Sequence, residues 1–114
     1  MKFFLSLFLS FFIGLSTLNT VVFSQEVSVD LEAGEQLFSQ NCVSCHAGGN
    51  NLVNPSKTLS LTDLKDNERD NLAAVIKQVT NGGNGMPVFS ERLSEEEISN
   101  VANYVFSQAV NDSW

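Results

Sequence analysis

Residues Cys42-Val43-Ser44-Cys45-His46 form the pentapeptide C-x-x-C-H, and His46 is the only histidine of the 114-residue chain. The spacing reads as c-type haem attachment. Two thiols at this separation add across the two vinyl groups of a haem, and the next residue offers an imidazole to the iron from one face. Three plainer readings compete. A dithiol redox pair wants a βαβ pattern around it, and none is visible. A closed zinc site needs four nitrogen or sulfur ligands, against three candidates here. A structural disulfide suits an oxidising compartment but leaves His46 unexplained.

Working outward, the chain opens as an export signal. Met1-Lys2 carries a positive charge, an apolar run extends from Phe3 to Leu18, and small or polar residues lead to Ser24. Val22-Phe23-Ser24 fits a signal peptidase site. The run is interrupted by Ser6, Ser10, Gly14 and Ser16, so it meets poorly the ~20 apolar residues of a membrane span. Residues 1–24 are therefore expected to be a cleaved signal peptide and residues 25–114 a single small domain, with no stable membrane insertion afterwards. Domains of this size are marginal in core, so a haem would supply much of the missing interior. The mature part holds thirteen acidic residues against Lys57, Lys65, Arg69, Lys77 and Arg92, a net charge of −8. That balance excludes a nucleic-acid footprint and suits encounters with positively charged partner surfaces.

The mature chain reads as all-α. Leu31, Gly34, Leu37 and Phe38 recur at helical spacing in a helix that runs into the haem motif. Gly34 costs ~1 kcal/mol in a helix relative to Ala, which points to a close backbone contact. Residues 47–58 are rich in Gly and Asn and form a loop. Ser60-Leu61-Thr62-Asp63 has the form of a capping box opening a short helix. A further helix is expected over about 68–81, with Leu72, Val75, Ile76 and Val79 on one face and Gly82 as its stop. Residues 81–87 then read as an irregular glycine-rich loop. Ser94 and Glu97 form a second capping box for a last helix striped by Ile98, Val101, Ala102, Val105 and Ala109. Tyr104 and Phe106 flank that stripe.

The sixth iron position has few candidates. No second histidine exists, both cysteines are used, and Met86 is the only methionine left after signal removal. A neutral thioether favours the ferrous state and raises the potential, as in His/Met cytochromes. Methionine is often a plain core filler, and a lysine ligand or an open site are the other options. A filled sixth position leaves no room for substrate and favours outer-sphere electron transfer.

With CxxCH, the distal Met-Pro and a capped last helix in place, the sequence resembles the class I cytochromes c, and within them the cytochrome c6 family. The resemblance is carried by NCVSCHAGGNNLVNPSKTL (41–59), IKQVTNGGNGMPVF (76–89), RLSEEEISNVANYVFSQ (92–108) and Trp114. It implies a fold of about four helices around one covalent haem c. By this resemblance Cys42 and Cys45 carry the thioethers, and His46 and Met86 are the axial iron ligands. Gln78 falls where the family has a glutamine near the haem that affects its potential. Gly34, Phe38 and Tyr104 match positions where the first and last helices cross. Arg92 matches an arginine that helps dock photosystem I, although Glu91 stands before it where many relatives have glycine; the alternative is a solvated or propionate-facing arginine. The stretch 59–72 matches least, and nothing is transferred from it.

The resemblance further implies a monomeric, soluble carrier in the thylakoid lumen of a cyanobacterium or plastid. It would pass single electrons between cytochrome f of the cytochrome b-f complex and photosystem I, and would not be an enzyme. The competing classes are a bacterial class I cytochrome c donating to a terminal oxidase, a haem sensor or enzyme with a labile Met86, and a haem-free thiol protein.

Overall fold

The computed structural model describes residues 28–114. The expected signal peptide and its cleavage site lie outside the described residues. Among the described residues five α-helices follow one another: α1 (Leu31–Asn41), α2 (Val43–His46), α3 (Leu61–Asp66), α4 (Leu72–Asn81) and α5 (Glu95–Asn111). Short 3-10 turns stand at Ala47–Gly49 and Phe89–Glu91. Among the described residues there is no strand, only an isolated bridge between Gly83 and Met86. The all-α expectation holds, with α2 as a single turn added to four longer helices.

Apart from α2, whose first residue follows Cys42 with no side-chain cap, each helix starts where a side chain can take up a free backbone N–H. Asp30 accepts from Ala33 N–H to open α1, and Asn71 accepts from Ala74 N–H to open α4. Ser94 and Glu97 make both arms of the expected capping box on α5. Such caps are worth ~1 kcal/mol each. At α3 only half of the expected box forms. Ser60 accepts from Asp63 N–H at 3.2 Å, but the Asp63 carboxylate turns away to accept from the Thr58 N–H and hydroxyl.

The start of α4 is a second correction. Glu68 has φ 57°, outside right-handed helical space, so residues 68–70 do not belong to the helix and α4 begins at Leu72. The reason is local. The polar tract before Leu72 offers Asn71 as a cap, and the end of α3 turns the chain back first. On α1, Leu31 was expected on the apolar stripe but is exposed, while Phe38 is buried.

The core forms where α1 lies across α5 and α4 packs beside it. Ile98, Val101, Ala102, Val105 and Ala109 of α5 are all buried, as are Val75 and Val79 of α4. Gly34 explains how near the two long helices come. A Cβ placed there would sit 2.2 Å from the Asn100 carbonyl oxygen, so any side chain would push the helices apart. Beside this crossing the Phe38 ring centroid is 5.5 Å from Tyr104 and 5.3 Å from Trp114, distances at which aromatic pairs attract. The Trp114 indole N–H donates to the Leu59 carbonyl at 3.0 Å, tying the loop after α2 to this corner.

Candidate haem-binding site

A cavity of about 330 Å³ opens between α1, α2, α4 and the loop before α5. Its volume lies in the range of small-molecule and cofactor pockets. Cys42, Cys45, His46, Gln78, Met86 and Arg92 all line it, so every site residue expected from sequence reaches one space. Its interior wall is apolar, with Phe38, Leu59, Leu64, Val79, Phe89 and Val105.

The CxxCH side is built by backbone bonds. Cys42 caps α1 and begins α2, and its carbonyl accepts from Cys45 N–H at 3.1 Å and His46 N–H at 2.8 Å. This turn holds the two cysteines and the imidazole together. His46 Nδ1 is 2.9 Å from the Asn50 carbonyl oxygen. A carbonyl can only accept, so Nδ1 carries the proton and Nε2 keeps its lone pair for a metal. Both thiols are free. Burial, and then the neighbouring Cys45, pushes the Cys42 thiol from 9.0 up to about 11.

The opposite side is built around a tight turn. Gly83 and Met86 exchange two backbone hydrogen bonds, of 2.9 and 3.0 Å. Between them Asn84 and Gly85 have φ of 54° and 89°, the positive pair of a type I′ hairpin turn. The expectation of an irregular loop is corrected here: Asn-Gly is a strong signal for that turn, and it presents Met86 from an ordered corner. Gln78, on α4, points its Nε2 at the Gly82 carbonyl from 3.1 Å and at Met86 Sδ from 4.0 Å. Arg92 is exposed at the cavity rim with its guanidinium 5.9 Å from the Phe89 ring centroid, within cation–π reach.

Two contributors escaped the sequence reading. Asn50 acts through its carbonyl, which no residue type reveals. Arg69 lines the cavity and reaches Gln78 Oε1 at 3.3 Å, from the stretch with the weakest resemblance. The donor set fits a covalent haem: two free thiols, a tautomer-fixed imidazole and a thioether surround an apolar space. Among the described residues no cluster of three or more His, Cys, Asp or Glu could hold a bare metal ion.

Comparison with known proteins gives the family. The family model described as "Cytochrome C oxidase, cbb3-type, subunit III" matches residues 29–105. Cytochrome c6 of Gracilaria tenuistipitata var. liui is 50% identical over 84 residues, covering 74% of this chain and 78% of that protein. Cytochrome c6 of Petalonia fascia is 52% identical over 81 residues, 71% of this chain and 95% of that protein. The crystal structure of cytochrome c6 from the diatom Phaeodactylum tricornutum superposes with a TM-score of 0.71 at 47% identity, covering 75% of this chain and 99% of that one. With about half of the aligned residues shared over 78% to 99% of the length of these relatives, the chain belongs to the cytochrome c6 family, class I c-type cytochromes that carry one covalent haem c and transfer electrons rather than act as enzymes.

Proposed function

We propose that Cys42 and Cys45 form the two thioethers, that His46 Nε2 and Met86 Sδ are the axial iron ligands, and that the protein carries single electrons from cytochrome f of the cytochrome b-f complex to photosystem I. The observation that carries the reading is the convergence of all four side chains on one apolar cavity. Bound haem supplies an iron that alternates between ferric and ferrous states. The chain's own residues do the rest. The Cys42 carbonyl fixes the attachment turn, and the Asn50 carbonyl fixes the imidazole tautomer. The Asn84–Gly85 turn presents a neutral thioether, which favours the ferrous state. The apolar wall excludes water, and a ligand set that stays in place in both redox states keeps reorganisation small.

Partner choice follows from charge. The acidic mature domain is steered toward basic surfaces, while exposed Arg92 at the cavity rim makes a local contact of opposite sign. Residues 1–24 would direct export to the thylakoid lumen, and the mature domain would work as a soluble monomer. No helix of the described residues is long and apolar enough to cross a membrane.

The test is flash-induced re-reduction of photosystem I over a salt series, with wild type and Arg92→Glu. Wild type should donate rapidly, with a rate that changes with ionic strength because exposed charges are screened beyond ~8 Å at physiological salt. Arg92→Glu should slow donation while leaving the haem spectrum and potential in place, since rim charges act mainly on the on-rate. Equal rates at every salt concentration would leave Arg92 a structural role only. If wild type fails to donate, the photosynthetic assignment falls. A terminal oxidase, the class named by the matching family model, then becomes the acceptor to test.

A further inference from the structure

On the Met86 side three side chains touch in sequence. Arg69 Nε donates to Gln78 Oε1 at 3.3 Å, and Gln78 Nε2 faces the Gly82 carbonyl at 3.1 Å and Met86 Sδ at 4.0 Å. A carboxamide can exchange the places of its oxygen and nitrogen by turning over. Here its neighbours decide. Arginine only donates, so the atom facing Arg69 must be the oxygen. The Gly82 carbonyl only accepts, so the atom facing it must be the nitrogen. The same orientation aims an N–H at the Met86 sulfur.

Arg69 owes its place to the end of α3. Glu68 N–H bonds to the Lys65 carbonyl at 3.0 Å and Arg69 N–H to the Leu64 carbonyl at 2.7 Å. With Glu68 at φ 57°, this is the Schellman pattern, which folds the chain back over the helix. The Arg69 Nη1 then donates to the carbonyls of Asn67 and Glu68 at 3.2 and 3.3 Å. The guanidinium is thus anchored to its own turn and presents Nε to Gln78.

We propose that Arg69 is a positioning residue that raises the reduction potential by holding the Gln78 amide N–H toward the Met86 sulfur. The proposal rests on the reading of Met86 as an iron ligand. An N–H directed at the thioether draws electron density away from its lone pairs. That weakens donation to the electron-poor ferric state more than to the ferrous state, so the potential rises. Hydrogen bonds around a ligand are an established lever on potential. The guanidinium on the far side of the amide polarises it further. A bare positive charge at the same place would act in the same direction through space, so the experiment must separate the two.

The test is a double-mutant cycle on the holoprotein, read as reduction potential: wild type, Arg69→Met, Gln78→Leu and both together. Arg69→Met should lower the potential, and most of that shift should vanish in the Gln78→Leu background, where no amide remains to orient. Arg69→Lys keeps the charge but loses the planar Nε donor, and should lie nearer to Arg69→Met than to wild type. The Met86 S-methyl proton resonance of the ferrous protein should move with Arg69→Met only while Gln78 is present. An equal potential shift in both backgrounds, or an Arg69→Lys protein with wild-type potential, overturns the proposal and makes Arg69 a through-space charge. The weak near-infrared band of thioether ligation keeps two failures apart. An additive cycle with the band present removes the role of Arg69 alone, whereas a wild type without the band removes Met86 as ligand and this proposal with it.

Discussion

The His46 side of the cavity is held almost wholly by main chain, whereas the Met86 side adds side-chain contacts to its backbone turn. Around His46, the Cys42 carbonyl closes the turn and the Asn50 carbonyl fixes the ring. Around Met86, the Gln78 amide faces the sulfur and the Arg69 guanidinium holds that amide from a segment separate in sequence. Main-chain acceptors survive any substitution that keeps the backbone path; side-chain donors do not. The comparison teaches that His46 is fixed by local geometry, while the setting of Met86 is open to adjustment residue by residue.

The largest blow to that contrast is Cys42→Ala with Cys45→Ala. It should abolish acid-stable haem and leave a chain of sharply lowered stability, because the apolar wall would then enclose an unfilled space; acid-acetone extraction and thermal unfolding followed by circular dichroism check it. Next in size, Met86→Ala should open the sixth position, lower the potential and let carbon monoxide bind rapidly to the ferrous protein, with attachment intact. A wild type that already binds carbon monoxide as fast would mean that Met86 is not the ligand.

A third effect concerns the haem-free chain. Burial raises the Cys42 thiol to about 11, so the folded state favours the neutral thiol. Its contribution is complete below pH 9.0 and is lost as pH climbs through about 11, by at most on the order of 2 kcal/mol. Urea titrations at pH 8 and pH 11 should show the loss in the haem-free chain and none of this origin in the holoprotein, where the proposed thioether would have no proton to lose. Smaller again, Gln78→Leu should lower the potential, whereas Asn50→Ala, which keeps its carbonyl, should leave it nearly unchanged. Equal shifts from the two would erase the contrast between the sides. Smallest is Glu68→Gly, which relieves a left-handed residue and should stabilise the holoprotein by up to about 1 kcal/mol in chemical denaturation.

What the sequence made legible divides along the same line. The α5 capping box and the α5 stripe are local patterns, and each appears where spacing and periodicity placed it. Gly34 was readable as a close contact because a glycine inside a helix stripe has few other reasons to be there. The start of α4 was misplaced because the polar run 66–70 carries no proline or glycine to mark the break. The left-handed position fell to Glu68, where propensity gives no warning. Asp63 left its capping box because Thr58 offered competing donors from outside the helix. Arg69 was hidden for a related reason: its partner Gln78 is brought near by the turn after α3, not by any spacing along the chain.

The crossing of α1 and α5 also has a kinetic side. Asp30 N–H and Asn100 Oδ1 meet at 3.0 Å across 70 positions, whereas the Cys42 carbonyl and His46 N–H close a bond within one helical turn. Closing so long a loop costs about 4 kcal/mol of chain entropy before any contact repays it, and folding slows as contacts become more distant in sequence. The attachment turn can therefore sample its bonded shape while the wall over Cys42 is still open. Alkylation of Cys42 in the refolding haem-free chain should accordingly be fast at first and slow once the two helices meet. The long loop works as a delay, leaving the thiols accessible for modification until the fold shuts them in.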